Sequence, residues 1–123
     1  MKIINIAHII IGIFLLYIAI KRKLNKLFYF ILLALSIIAY IYHIYKYYIT
    51  GYWLYLFHLL VILPVVLFIG ILQNKSPDAL YNILLFVAFG TIGYHGYRIL
   101  KDQLTIYHGS ISILAIILII LFV

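Results

Sequence analysis

MKIINIAHIIIGIFLLYIAIKRK, residues 1–23, decides the class of this chain. Its unbroken apolar run reads either as a secretory signal or as a membrane span. A signal is followed by a small-residue cleavage site, whereas this run is followed by Lys21-Arg22-Lys23. The segment is therefore read as a retained span from Ile3 to Ile20, closed by basic residues. At a rise of about 1.5 Å per residue, such a run covers a hydrocarbon core roughly 30 Å thick.

Further runs of the same kind fill the rest of the chain. The spacing predicts five helices, over residues 3–20, 27–45, 52–72, 79–100 and 104–123. Lys46 to Gly51 are expected to turn, Pro64 to kink the third helix, and Lys101-Asp102-Gln103 to form a tight turn. Ser76-Pro77-Asp78 reads as a helix start, with Ser76 as cap, Pro77 in the first turn and Asp78 against the positive dipole end. The runs are too long, and too lacking in two-residue alternation, for a barrel. Of the 123 residues, 69% are hydrophobic and 9% charged, against roughly 25% charged in soluble proteins. The fold class expected is an all-α integral membrane protein, a single transmembrane bundle over residues 1–123. A net charge of +7 would suggest nucleic acid in a soluble chain, but these cations flank apolar runs. There they meet lipid headgroups, with Lys21, Arg22, Lys23 and Lys26 the main anchors, and no nucleic-acid partner is expected. The absence of cysteine excludes disulfides and thiolate metal sites.

GYHGYR at 93–98 and IYHIYK at 41–46 raise the question of a repeat. Sliding the chain by 52 residues places Tyr42-His43-x-Tyr45-Lys46 on Tyr94-His95-x-Tyr97-Arg98, and Tyr29 on Tyr81. Sliding by 50 places His8 on His58 and His58 on His108. A two-helix hairpin repeated over about 3–46 and 53–98 accounts for both, the fifth helix opening a third copy. Hairpins that cross twice are parallel repeats about an axis along the membrane normal. His8, His43, His58, His95 and His108 are then expected at one depth, near the N-terminal face. The positive-inside rule puts that face outside and the C-terminus inside.

Several readings of this layer stand side by side. Tyr and His settle at headgroup depth without further function. The histidines, with Tyr42, Tyr45, Tyr94, Tyr97 and Thr91 as polar support, are also candidates for ligating haem b or a divalent metal. Small residues beneath them, including Gly12, Ser36 and Ala88, would clear a groove for a flat cofactor or for a neighbouring helix. No cofactor at all is the reading preferred. Imidazoles could also relay protons through an oligomeric pore, although intramembrane carboxylates are missing: Asp78 and Asp102 both fall in turns. Thr91-Ile92-Gly93-Tyr94-His95-Gly96 differs from a potassium filter by its inserted histidine. No nucleophile with base and orienting acid, paired carboxylates or phosphate loop is present, so no enzyme is expected. Gly90, Gly93 and Gly96, spaced by three, and Gly12 are expected to serve close helix packing, within the chain or in a homo-oligomer.

LYLFHLL (54–60), YHIYK (42–46) and YNILLFVAFGTIGYHGYR (81–98) resemble small polytopic membrane proteins of nucleocytoplasmic large DNA viruses, as does the heavy use of Ile and Tyr. The resemblance implies a viral protein of a virion inner membrane, or of the host membrane during infection, within a membrane and capsid assembly. The chain departs from a membrane-to-shell tether in having no soluble domain. The function expected is a non-catalytic structural or assembly role, with histidine-ligated electron transfer and a proton-conducting pore as alternatives.

Overall fold

A computed structural model describes residues 2–103 and 110–121. The described residues are helical throughout, apart from short connections, and contain no strand. In chain order the helices are α1 (Lys2–Lys21), α2 (Lys26–Thr50), α3 (Trp53–Phe57), α4 (Leu63–Leu72), α5 (Asp78–Gln103) and α6 (Ser110–Leu121). A π turn over His58–Ile62 joins α3 to α4 without a break, and a 3₁₀ turn over Gln73–Lys75 follows α4. Four stretches are long and apolar enough to cross a membrane: Ile3–Lys21, Lys26–Thr50, Trp53–Lys75 and Asp78–Asp102. The chain groups into two compact units, Met1–Tyr17 with Leu85–Val123, and Ile18–Leu84.

Local chemistry sets the helix ends. The Asn25 side chain accepts from the Leu27 amide at 3.1 Å and caps α2. The helix runs a full turn beyond the expected end at Tyr45, because nothing from Lys46 to Thr50 breaks it. It stops at Gly51, whose φ of 62° suits the left-handed C-cap and whose amide donates to the Tyr47 carbonyl at 2.8 Å. Ser76 does not cap α5. The helix begins at Asp78, so Ser76 stands one residue ahead of the capping position, and its hydroxyl is buried without a hydrogen-bond partner. The last expected helix is described only from Ser110 to Leu121.

Within Ile18–Leu84, two tyrosines and one carbonyl fasten the connections. The Tyr29 hydroxyl lies 2.5 Å from the Arg22 carbonyl, 2.9 Å from Asn74 Oδ1 and 2.9 Å from the Tyr81 hydroxyl. The Tyr81 hydroxyl lies 2.7 Å from the Arg22 carbonyl and 3.1 Å from that of Gln73. Arg22 and Gln73, with φ of 62° and 54°, are the two non-glycine residues of positive φ among those described. A positive φ is sterically unfavourable for a non-glycine residue. Both carbonyls it presents are taken up by these tyrosines. The Arg22 guanidinium reaches Asp78 at 3.0 Å and Asn82 Oδ1 at 2.7 Å. Below the junction, α4 packs closely on α2: a Cβ on Gly70 would lie 3.3 Å from the Leu33 backbone.

The pattern of burial repeats along the chain. On α2 the buried residues are Tyr29, Leu32, Ser36 and His43; on α5 they are Tyr81, Leu84, Ala88 and His95. A shift of 52 residues converts one set into the other, member for member. On α1, Gly12, Leu15, Ile18 and Ala19 are buried, and on α4, Leu63, Val66, Ile69 and Gly70. These correspond by a shift of 51, whereas His8 and His58 correspond by 50. The extra residue falls inside the π turn, where the Leu63 amide donates to the His58 carbonyl five residues back. A π turn is the helix's means of housing one surplus residue. The irregularity expected at Pro64 is thus a widened turn just before it.

Removing the Tyr29 hydroxyl (Tyr29→Phe) is expected to cost about 1–3 kcal/mol. Removing the partnerless hydroxyl of Ser76 (Ser76→Ala) is expected to be neutral, or to stabilise by up to about 1 kcal/mol. Denaturant titration of the detergent-solubilised protein measures both.

Candidate functional site

The histidines are brought together in pairs, one pair in each unit. In the first, His8 of α1 and His95 of α5 stack with ring centroids 4.1 Å apart and planes 25° from parallel. In the second, His43 of α2 and His58 of the π turn stack at 4.7 Å and 17°. His43 and His95, related by the 52-residue shift, are the more deeply buried members. Each also has the preceding tyrosine edge-on to its ring: Tyr42 at 5.2 Å from His43, and Tyr94 at 5.1 Å from His95. Tyr55 of α3 adds a tilted contact to His43 at 5.9 Å. His108 lies outside the described residues.

The helices themselves dictate the tautomers. Nδ1 of His8 sits 2.7 Å from the Ile4 carbonyl, Nδ1 of His43 2.7 Å from that of Ala39, and Nδ1 of His58 2.6 Å from that of Leu54. A backbone carbonyl only accepts, so each Nδ1 carries a proton and donates it. In the neutral ring the lone pair is then on Nε2. His95 makes the same bond to a side chain, with Nδ1 2.8 Å from Oδ1 of buried Asn5. Asn5 was not singled out from the sequence, although it stands one helical turn from His8 on the same face.

This geometry bears directly on a cofactor. Lone pairs of imidazoles stacked in this way lie in nearly parallel planes. An ion about 2.0–2.1 Å from both nitrogens would sit far out of at least one ring plane. No group of three or more His, Cys, Asp or Glu capable of holding a metal occurs among the described residues. The groove expected beneath the histidines of the first pair is filled by a helix. A Cβ on Gly12 would come within 2.7 Å of Ile92 Cγ1 and 3.3 Å of Thr91 Cγ2. A porphyrin needs both that space and imidazoles apart from one another, so the paired rings do not fit haem or a shared metal ion.

The remaining expected residues divide. Thr91 bonds its own helix, Oγ1 donating to the Val87 carbonyl at 2.8 Å. Tyr45 and Tyr97 are exposed, and Tyr94 accepts from Arg98 Nη1 at 3.2 Å. Of the four glycines, Gly12 serves close packing. Among the described residues, Gly90, Gly93 and Gly96 have nothing within 4 Å of the place a Cβ would take. Lys21, Lys23 and Lys26 are exposed, while Arg22 is half-buried and committed to Asp78 and Asn82. No family model, curated protein or solved structure matches this chain.

The imidazole nitrogens offer a direct check. In ¹⁵N spectra of the protein in bilayers above neutral pH, His8, His43 and His58 are expected as the Nδ1-protonated tautomer, the rarer form of free histidine. Asn5→Ala is expected to shift the His95 resonances and to cost about 1–3 kcal/mol of stability through the orphaned donor.

Proposed function

We propose that this chain is a small polytopic membrane protein with a non-catalytic, structural role, built on a repeated hairpin and assembling through its own helices. The observation that carries the membrane reading is where the apolar side chains face. Ile3, Phe30, Leu60 and Phe86 are exposed by 82%, 68%, 67% and 78%. In no candidate span is more than 28% of the most apolar window buried. In water, so continuous an apolar surface would aggregate; in a bilayer it faces lipid tails, and the backbone is satisfied within each helix.

The matching burial of α2 with α5, and of α1 with α4, supports the hairpin repeat. With it go parallel copies about the membrane normal, a histidine-bearing face outside and the lysine-bearing face inside. The two imidazole stacks act as interhelical fasteners, each joining an even-numbered crossing to an odd one. Polar contacts of this sort contribute modestly between helices in lipid, and here they are doubled by the repeat. Gly90, Gly93 and Gly96 cost helix stability, about 1 kcal/mol each against alanine, with no contact at their Cβ positions to account for them. That ridge, exposed at Gly90 and half-buried at Gly93 and Gly96, is the face by which copies of the chain associate. The resemblance to large-DNA-virus membrane proteins would imply such an assembly in a virion inner membrane, or in the host membrane during infection.

The test has two readouts. Full-length protein expressed in cells is expected to stay in the membrane through an alkaline carbonate wash. Single cysteines introduced at Lys23 and Thr50 are expected to be labelled from opposite sides. Release by carbonate would sink the membrane reading. In lipid, Gly93→Leu is expected to lower self-association at least several-fold while leaving the helix content unchanged. A monomeric wild type at every protein-to-lipid ratio would remove the assembly role.

A further inference from the structure

We infer that the lysine-bearing end of the unit Ile18–Leu84 is a binding site for a lipid headgroup that carries more than one phosphate charge. The inference rests on the membrane reading and names the lipid that the basic end selects.

The site is made by two connections held against each other. The Leu24 amide donates to Asn74 Oδ1 at 3.3 Å, and the Tyr29 hydroxyl lies within reach of that oxygen and of the Arg22 carbonyl, its one proton open to either. Tyr81 ties Gln73 to Arg22 from the other side. Lys21 and Lys23 flank Arg22, Lys75 follows Asn74, and Lys26 follows the capping Asn25. The backbone that carries these four lysines is therefore fixed by buried tyrosines, and all four residues are exposed. One carboxylate stands among them, Asp78, and it is already paired with Arg22 in the only ion pair among the described residues. Five cations against one carboxylate leave a local excess of four positive charges.

Repulsion among these lysines is relieved by anions brought from outside. The site sits where the spans Ile3–Lys21 and Lys26–Thr50 meet and Trp53–Lys75 ends, which is headgroup depth in a bilayer. A zwitterionic headgroup brings no net charge there, and a singly charged one offsets one lysine. A headgroup with two phosphates offsets two lysines at once without gathering two lipids, the advantage of linked charges. Lysine, a compact point charge with three donors, suits phosphate without demanding one orientation. At the other end of α2, Lys46 stands alone and is half-buried.

The experiment uses the full chain in neutral detergent, with native mass spectrometry reading the lipid retained. Cardiolipin (two phosphates), phosphatidylglycerol (one) and phosphatidylcholine (zwitterionic) are offered at equal concentration. One cardiolipin is expected to be held at a concentration at least ten-fold lower than phosphatidylglycerol requires. At roughly five-fold per lysine contact, the K21Q/K23Q/K26Q/K75Q variant is expected to lose that preference. The K46Q/R98Q/K101Q variant is expected to change it less than two-fold. Equal retention of cardiolipin and phosphatidylglycerol, or an unchanged preference in the quadruple variant, would overturn the assignment. So would binding of polyglutamate that the quadruple substitution abolishes while cardiolipin remains, which would give the patch to an acidic protein. The membrane reading is checked apart, by flotation of wild type with phosphatidylcholine vesicles after an alkaline wash. Flotation without lipid preference defeats this inference alone; failure to float defeats the reading beneath it.

Discussion

Two buried tyrosine hydroxyls converge on the Arg22 carbonyl, and the unit Ile18–Leu84 is organised around that oxygen. Lipid tails offer a helix nothing to gain by leaving them for another apolar surface, so association in a bilayer depends on packing and on polar contacts that have no better partner. Tyr29 and Tyr81 supply two protons to a cluster of oxygens in which Arg22, Gln73 and Asn74 all compete for them. The competition holds α1, α2, α4 and α5 at one point. It also accommodates a positive φ at two non-glycine residues, because the carbonyls so exposed are ones the tyrosines need. A glycine at position 22 would ease the backbone and forfeit the guanidinium bonds to Asp78 and Asn82.

The imidazole stacks answer to the same constraint. A histidine inside an apolar helix satisfies Nδ1 on the carbonyl one turn back, at the cost of sharing that carbonyl with the helix's own hydrogen bond. His8, His43 and His58 all do this. What remains is a flat, polarisable ring that another flat ring covers well. His95 has a side chain to bond instead, and Asn5 is buried to meet it. The recurrence of stack and edge-on tyrosine in both units ties the motif that repeats in the sequence to a contact that repeats in space.

Much of this architecture was legible in the residues. Lys21-Arg22-Lys23, Gly51 and Pro77 punctuate apolar runs whose lengths leave little choice but helices. The 52-residue shift brought Tyr29 onto Tyr81 and His43 onto His95, which are the buried positions. Their partners were not legible, because periodicity places a residue on a face and says nothing of which helix covers that face. The π turn was hidden behind Pro64, an obvious cause of irregularity standing beside the true one. Ser76 misled because a serine before a proline resembles a cap, and only the helix start at Asp78 reveals it as one residue early. The groove inferred from Gly12 was a real absence of side chain, but Ile92 fills it.

The π turn has a consequence for how this chain tolerates the loss of residues. In a regular helix, deleting one residue rotates everything beyond it by about 100° and turns the buried face outward. Between His58 and Ile62 the helix already carries one residue more than α1 does over the same stretch. A deletion there closes a wide turn to an ordinary one and leaves Leu63, Val66, Ile69 and Gly70 facing α2. Length, elsewhere a rigid requirement of this chain, is negotiable for the four residues after His58, and a scan of single-codon deletions would find its silent window there.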